Sequence, residues 1–431
     1  MSSALSAAKR MVAAILRDKS LDEVMAGQAP DAETKLKPWI RQTKRLDASF
    51  TAAHWRTLLA QTDADEATMA TLYDQQAQGD LETYSNNIEN YIGQLRLPVG
   101  VIGPLRVRGI FAQDDYYIPL ATSEAALVAS YGRGARLISV AGGCTTALLA
   151  EGVQRAPAFA FDTISQAGAF LGWVLENTDR LVSVAEATTR HGKLCEITPH
   201  IDGANVYLAC TFTTGDAAGQ NMVTIATQAL CEEIEASCPI TPRYWFVEAN
   251  FSGDKKASNL SFMGVRGRKA TASVELPEAL ISSHLHTTAK RMEEYWRMSA
   301  LGGVMSGTIG VQGHLANGLA ALYLATGQDA ACVSESAVGV TRAERREDEN
   351  GETLFVSVTM PNIIVGTVGG GTGLPTQSAG LDILGLKGNG KARALAEVIA
   401  ATGLAGELSI VGALCAHHFA RAHQGLARGK S

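Results

Sequence analysis

At 431 residues the chain is longer than one average domain and has room for two or three, each able to bury a core of its own. Its 37 Lys+Arg against 43 Asp+Glu leave a net charge of −6, so no positive field gathers phosphate backbones or anionic lipid, and nucleic-acid binding is excluded as a first expectation. Seven scattered cysteines, with no C-x-x-C, read as buried thiols of a reducing compartment.

In chain order, Lys9 and Arg10 precede a short apolar run that Arg17, Asp18 and Lys19 end before a signal-peptide core can form. A cytoplasmic protein is expected. Residues 1–88 read as a helical domain, with Leu5, Ala8, Val12 and Ile15 on one stripe. From Arg155 the pattern changes. A strand-like APAFAFD, a long helix from Ile164, alternating segments at 194–197 and 204–213, a helix over 216–236 and a strand over 243–249 follow in turn. That order is the ferredoxin-like unit. The expected fold is therefore α+β: a large domain (89–155 and 258–431), an inserted ferredoxin-like domain (156–246) and a connecting loop (247–257). No G-x-G-x-x-G follows a strand, so it is not a Rossmann fold. Two stretches free of Asp, Glu, Lys and Arg, 298–328 and 353–381, match a membrane span in length, but their glycines, prolines and polar residues point to buried core, and no membrane is expected.

Several residues stand out chemically. NFSGDKKASN sets Asp254, Lys255 and Lys256 in one polar loop, where a solvated charge run competes with a functional lysine held by carboxylates. Glu124 and Asp329 are the candidate carboxylates, each isolated in a charge-poor stretch, although either can simply cap a helix. The segment GTVGGGTGLPTQ (366–377) can cup a phosphate with bare backbone N–H groups or make a tight turn. GDAAGQNM (215–222) opens a helix toward an anion, or uses Asp216 as a cap. His417, His418 and His423 tempt a metal reading, but on a helix His418 and His423 point about 140° apart, so no metal is expected.

The phrases ENYIGQLRLPVGVIGPL (89–105), TSEAALVAS (122–130), GDAAGQNM, DKK, GQDAA (327–331) and GTVGGGTGLPTQ occur in this order. Together they resemble the catalytic portion of the 3-hydroxy-3-methylglutaryl-CoA (HMG-CoA) reductases, on the side of the animal and archaeal members. The resemblance implies a large domain around a buried central helix, which fits 298–325, and a small ferredoxin-like domain that binds the nicotinamide cofactor. It also implies an obligate homodimer or higher homo-oligomer with active sites at the subunit interface. Glu124, Lys255, Asp329 and His423 fall on the family's catalytic positions. Lys255 would hold the hemithioacetal oxyanion; Glu124, buried beside Asp329, would give a proton at the aldehyde stage; His423 would protonate the departing CoA thiolate. Arg155, Asp254, Lys256, Asn317, Glu89 and Asn90 fall at substrate positions. Arg190, Asp216, Asn221, Gly369, Gly370 and Gly371 fall at cofactor positions, with Arg190 placed for the 2′-phosphate, so NADPH is favoured over NADH. Glu248 and Ala257 depart from the serine and proline of the animal enzymes.

The implied reaction is two-step reduction of HMG-CoA to mevalonate and free CoA. Two rivals stand beside it. One is a silent homologue serving as a binding dimer, which four intact catalytic positions argue against. The other is an NAD-linked enzyme oxidising mevalonate, which Arg190 argues against.

Overall fold

The computed structural model describes residues 3–16, 19–28, 30, 33–40, 42, 46–349 and 351–416. The chain divides into two compact units between Leu95 and Arg96. The first is helical: α1 (Ser3–Leu16), α2 (Leu21–Gln28), α3 (Ala48–Gln61), α4 (Glu66–Leu72) and α5 (Gln75–Gly79). The expected stripe on α1 forms, but Met11, Val12 and Ile15 face solvent. The core of this unit is small, with Leu46, Leu81 and Tyr91 buried and Tyr73 and Tyr84 packed around them. Trp55 fastens α3 by donating its indole N–H to the Ile92 carbonyl at 2.9 Å.

The second unit opens with the hairpin β1 (Val99–Gly109) and β2 (Gln113–Ala121), then α6 (Leu127–Val140) and the long strand β3 (Cys144–Arg155). The segment that follows runs β4 (Ala158–Ala160), α7 (Ile164–Glu176), α8 (Thr178–Ala187), β5 (Lys193–Asp202), β6 (Asn205–Thr213), α9 (Gln220–Ser237) and β7 (Tyr244–Phe246). The single long helix expected from Ile164 is thus two helices, because Asn177 leaves helical geometry between them. Four antiparallel strands lie in the order β7-β4-β6-β5, over a separate core that includes Phe159, Phe170, Phe212 and Leu230. Six of the seven cysteines are buried; Cys195 is exposed, at the irregularity between Leu194 and Glu196 where β5 slips its register on β6.

The chain returns through α10 (Leu260–Met263), β8 (Gly267–Pro277), α11 (Glu278–Leu285), α12 (Ala289–Ser306), α13 (Leu315–Thr326), α14 (Val333–Ser336), β9 (Val340–Asp348), β10 (Gly351–Ile363), α15 (Pro375–Leu384) and α16 (Ala392–Cys415). β3 joins the two parts of the sheet. Residues up to Gly152 pair with β1 and β8, and the last three pair with β6, which leaves Arg155 at the end of the strand, opposite Cys210.

The central helix is not where the charge pattern put it. Residues 298–325 are split between α12 and α13 by 307–314, and Met298, Leu301, Val304 and Met305 are 65–82% exposed. The long buried helix is α16. Among the described residues it alone is long and apolar enough to cross a membrane, with mean hydropathy 1.8, and it is 83% buried within the protein. It contains two acids that a charge-free criterion rejects, and the fold uses both. Glu397 accepts the backbone N–H groups of Ile110, Phe111, Ala112 and Leu148 at 2.8–3.2 Å. Glu407 accepts those of Gly313 and His314 and the hydroxyl of Thr341. Burial of a carboxylate is sustained because each oxygen meets donors that would otherwise be orphaned.

Candidate functional site

The loop between β7 and α10 is held in an unusual conformation, with Asn250, Gly253 and Lys255 at φ of 66°, 70° and 54°. Two non-glycine residues in the left-handed region carry local strain that the surroundings must sustain. The Ala249 N–H donates to the Ala156 carbonyl at 2.9 Å, tying the loop to the end of β3. Lys255 Nζ then lies 3.2 Å from Asp329 Oδ2, with both side chains roughly half-exposed. The hydrogen bond to Asp329 raises the Lys255 ammonium above its ordinary value, so it stays charged at neutral pH. Asp329 serves both of its possible roles: Oδ1 caps the short turn 330–332 through the Ala331 N–H at 3.0 Å, and Oδ2 faces Lys255.

Beside this pair lies a buried ion cluster. Asp254 Oδ2 is 2.9 Å from Arg155 Nη1, Asp254 Oδ1 bonds Arg266, and Arg266 Nε is 3.4 Å from Glu335. Burial pushes the Asp254 carboxyl up, but Arg266 and Arg155 outweigh it and hold it below the usual carboxylate range. Glu335 is deeper, and there burial prevails and raises it. Lys256 donates to the Asp254 carbonyl at 2.8 Å.

Glu124 is elsewhere. Both of its oxygens accept from the Asn317 amide, at 3.1 and 3.0 Å, in the first turn of α13. Asp329 follows the other end of that helix. Twelve helical residues at 1.5 Å rise separate the two ends by roughly 18 Å. The expectation that Glu124 is buried against Asp329 therefore fails within one chain: Glu124 is exposed, and α13 holds the two acids apart.

Glu124 and Asn317 line a cleft of about 420 Å³ with Arg133, Tyr295, His314 and Ile410. Arg133 also faces an adjoining open groove of about 550 Å³ with Arg136 and His284. The sequence reading passed over these two arginines. Their spacing of three on α6, which puts them on one face, was the available signal.

The glycine loop meets both other glycine segments. The Gln328 side chain exchanges two hydrogen bonds with Gly366, and the Thr367 N–H donates to the Asp216 carbonyl. A Cβ on Gly371 would stand 2.6 Å from the Gly327 carbonyl, so close backbone packing accounts for that glycine. Gly369 and Gly370 are different: both have positive φ, and no atom stands within 4 Å of where a Cβ would be, so their backbone is open to a ligand. Asp216 gives both carboxylate oxygens to backbone N–H groups, of Gly390 and Ala392, at the start of α16. Asn221 is exposed in the first turn of α9, and Arg190 is exposed in the turn before β5. Glu89 and Asn90 belong to the first unit, where Asn90 bonds Gln42 at 2.9 Å. His423 lies outside the described residues. Among the described residues no group of three His, Cys, Asp or Glu side chains is placed to hold a metal.

Residues 52–428 match the family model described as hydroxymethylglutaryl-coenzyme A reductase. The chain is 41% identical over 389 residues to the 3-hydroxy-3-methylglutaryl-coenzyme A reductase of Haloferax volcanii, covering 86% of this chain and 95% of that one. It is 43% identical over 355 residues to that of Methanothermobacter thermautotrophicus, covering 81% and 87%. In structure it is similar to a class II 3-hydroxy-3-methylglutaryl-CoA reductase from Streptococcus pneumoniae solved with bound NADPH, with a TM-score of 0.62 at 21% identity over 81% of this chain and 95% of that one.

Proposed function

The chain belongs to the hydroxymethylglutaryl-coenzyme A reductase family, and from that premise we infer that it reduces HMG-CoA to mevalonate and free CoA with two equivalents of NADPH. The observation that carries the reading is the Lys255–Asp329 pair, next in the chain to the Arg155–Asp254 ion cluster.

NADPH supplies the hydride at each of the two reductions. The chain's own residues do the rest. Lys255, held charged by Asp329, stabilises the oxyanion that forms as the thioester carbon becomes tetrahedral. Glu124 delivers the proton at the aldehyde stage, and His423 protonates the leaving thiolate. Arg155, Asp254, Lys256 and Asn317 grip the acyl group. Arg133 and Arg136 on α6 suit the phosphates of CoA. The antiparallel order β7-β4-β6-β5 supports reading 156–246 as a ferredoxin-like insert that binds the cofactor, with Arg190 for the 2′-phosphate, Asn221 and the glycines lining the site, and Asp216 shaping it.

The span of α13 supports a homodimer. The acid and the lysine must meet at one thioester carbon, so Glu124 of one subunit works with Lys255 and Asp329 of the other. The bare face of α12, carrying Met298, Leu301 and Met305, suits such an interface. A cytoplasmic enzyme fits this reading. The test is loss of nicotinamide absorbance with purified protein, HMG-CoA and NADPH or NADH in turn. Two NADPH oxidised per CoA released is the expected result, faster than with NADH; no oxidation with either cofactor rejects the reading.

A further inference from the structure

Glu248 lies two residues beyond β7, its carboxylate pinned beside Arg155. Oε2 accepts from the Ala156 N–H at 3.2 Å and the Ser252 hydroxyl at 2.8 Å, and stands 3.5 Å from Arg155 Nη1. Oε1 is buried and has no partner among the described residues. Arg155, with its side chain 7% exposed, has the complementary gap. Its Nη1 bonds Asp254, its Nη2 reaches the Gln220 carbonyl at 3.4 Å, and its buried Nε–H donates to nothing among the described residues.

A buried unpaired acceptor on one side chain, next to a buried unpaired donor on its neighbour, calls for a group that both donates and accepts. A hydroxyl does this with one hydrogen and two lone pairs. A carboxylate does not. It has no hydrogen for Oε1, and it would join Glu248, Asp254 and Glu335, which already set three carboxyls against the guanidiniums of Arg155 and Arg266.

We propose that Glu248 is a specificity-determining residue of the acyl site: Oε1 takes the hydrogen of the acyl group's hydroxyl, while Arg155 Nε–H donates to the same hydroxyl oxygen. The proposal rests on the reading of the Lys255 loop as the acyl site. It selects, among CoA thioesters of branched dicarboxylic acids, those that carry a hydroxyl. The serine of the animal enzymes can both donate and accept, whereas a carboxylate only accepts.

The test is calorimetric binding of HMG-CoA and of 3-methylglutaryl-CoA, the same acid without the hydroxyl, to the full-length protein. Wild type is expected to bind the hydroxylated thioester at least about tenfold more tightly, since the analogue leaves both polar groups unpaired. Glu248→Leu should cut that ratio by about fivefold or more, and so should Glu248→Gln, whose one oxygen is held by the Ala156 N–H and which sets an NH2 donor where Oε1 accepted. A wild-type ratio below tenfold, or a smaller drop in Glu248→Leu, overturns the assignment. If the leucine variant does not fold, the wild-type ratio and the glutamine variant decide. Equal, tight binding of both thioesters sinks the role of Glu248 alone, and no binding of HMG-CoA sinks the acyl-site reading beneath it.

Discussion

The two ends of α13 are built differently. Beyond its C-terminus charge meets charge inside one chain: Lys255 has Asp329, and Asp254 has two arginines that are at most 7% exposed. At its N-terminus Glu124 meets a single neutral amide, faces solvent and opens on a cleft. One end is closed by ion pairs, and the other presents a carboxylate with room beside it. The contrast teaches that one helix can hold a paired, charge-balanced cluster at one end and an open carboxylate at the other, which is what the proposed sharing of a site between two copies requires.

The contrast breaks first on stability. Arg266→Met leaves Asp254 and Glu335 buried with one guanidinium fewer, and the expected loss is about 3–5 kcal/mol in urea unfolding. A loss no larger than that of a surface substitution would mean that the cluster is not the closed unit described here. Next comes activity. Lys255→Ala should lower kcat by about 10²–10³ with the fold intact, as removal of an oxyanion donor does. Glu124→Ala should be similarly inactive. Mixed and reassorted, the two inactive variants should recover about a quarter of wild-type activity, because half the dimers then hold one intact site of two. No recovery on mixing would place the acid and the lysine of each site in the same chain. A smaller effect is expected at the bare face of α12: Leu301→Asp should weaken dimerisation about tenfold in sedimentation, with activity falling in proportion to dimer. Unchanged sedimentation would move the interface elsewhere.

How much of this could be read from the sequence depended on whether the signal was local. The order of elements in 156–246 followed from alternation and helical periodicity, which are local. Isolation in a charge-poor stretch, the property that drew attention to Glu124 and Asp329, holds equally for Glu397 and Glu407 in α16. Those two are structural, because their partners are backbone N–H groups from loops that sequence cannot bring to them. The same blindness put the central helix at 298–325: absence of charge marks the end of α12 from Met298, whose apolar side chains are bare, while two buried acids disguised α16. Glycine density found the right loop but not the use of each glycine, since Gly371 packs on Gly327 and Gly369 and Gly370 stand open. The separation of Glu124 from Asp329 was out of reach altogether, because it is set by the length of a helix lying between two loops.

The smallest effect distinguishes members of the closed end from one another by pH. Asp254 is held below its ordinary value, so its contribution is fully present above the unfolded-chain value, near 3.9, and is lost as pH falls through the lower folded value. Glu335 is shifted the other way by burial: the folded chain takes up its proton at a higher pH than the unfolded chain. Its cost is therefore full above the folded value and fades as pH falls toward the unfolded one, near 4.3. In urea unfolding from neutral pH downward, the stability difference between wild type and Glu335→Gln should change first. The difference between wild type and Asp254→Asn should hold steady until pH drops below about 4 and then close. Two differences that move in parallel would mean that the cluster titrates as one group, and the opposed environments of its two carboxyls would have to be abandoned.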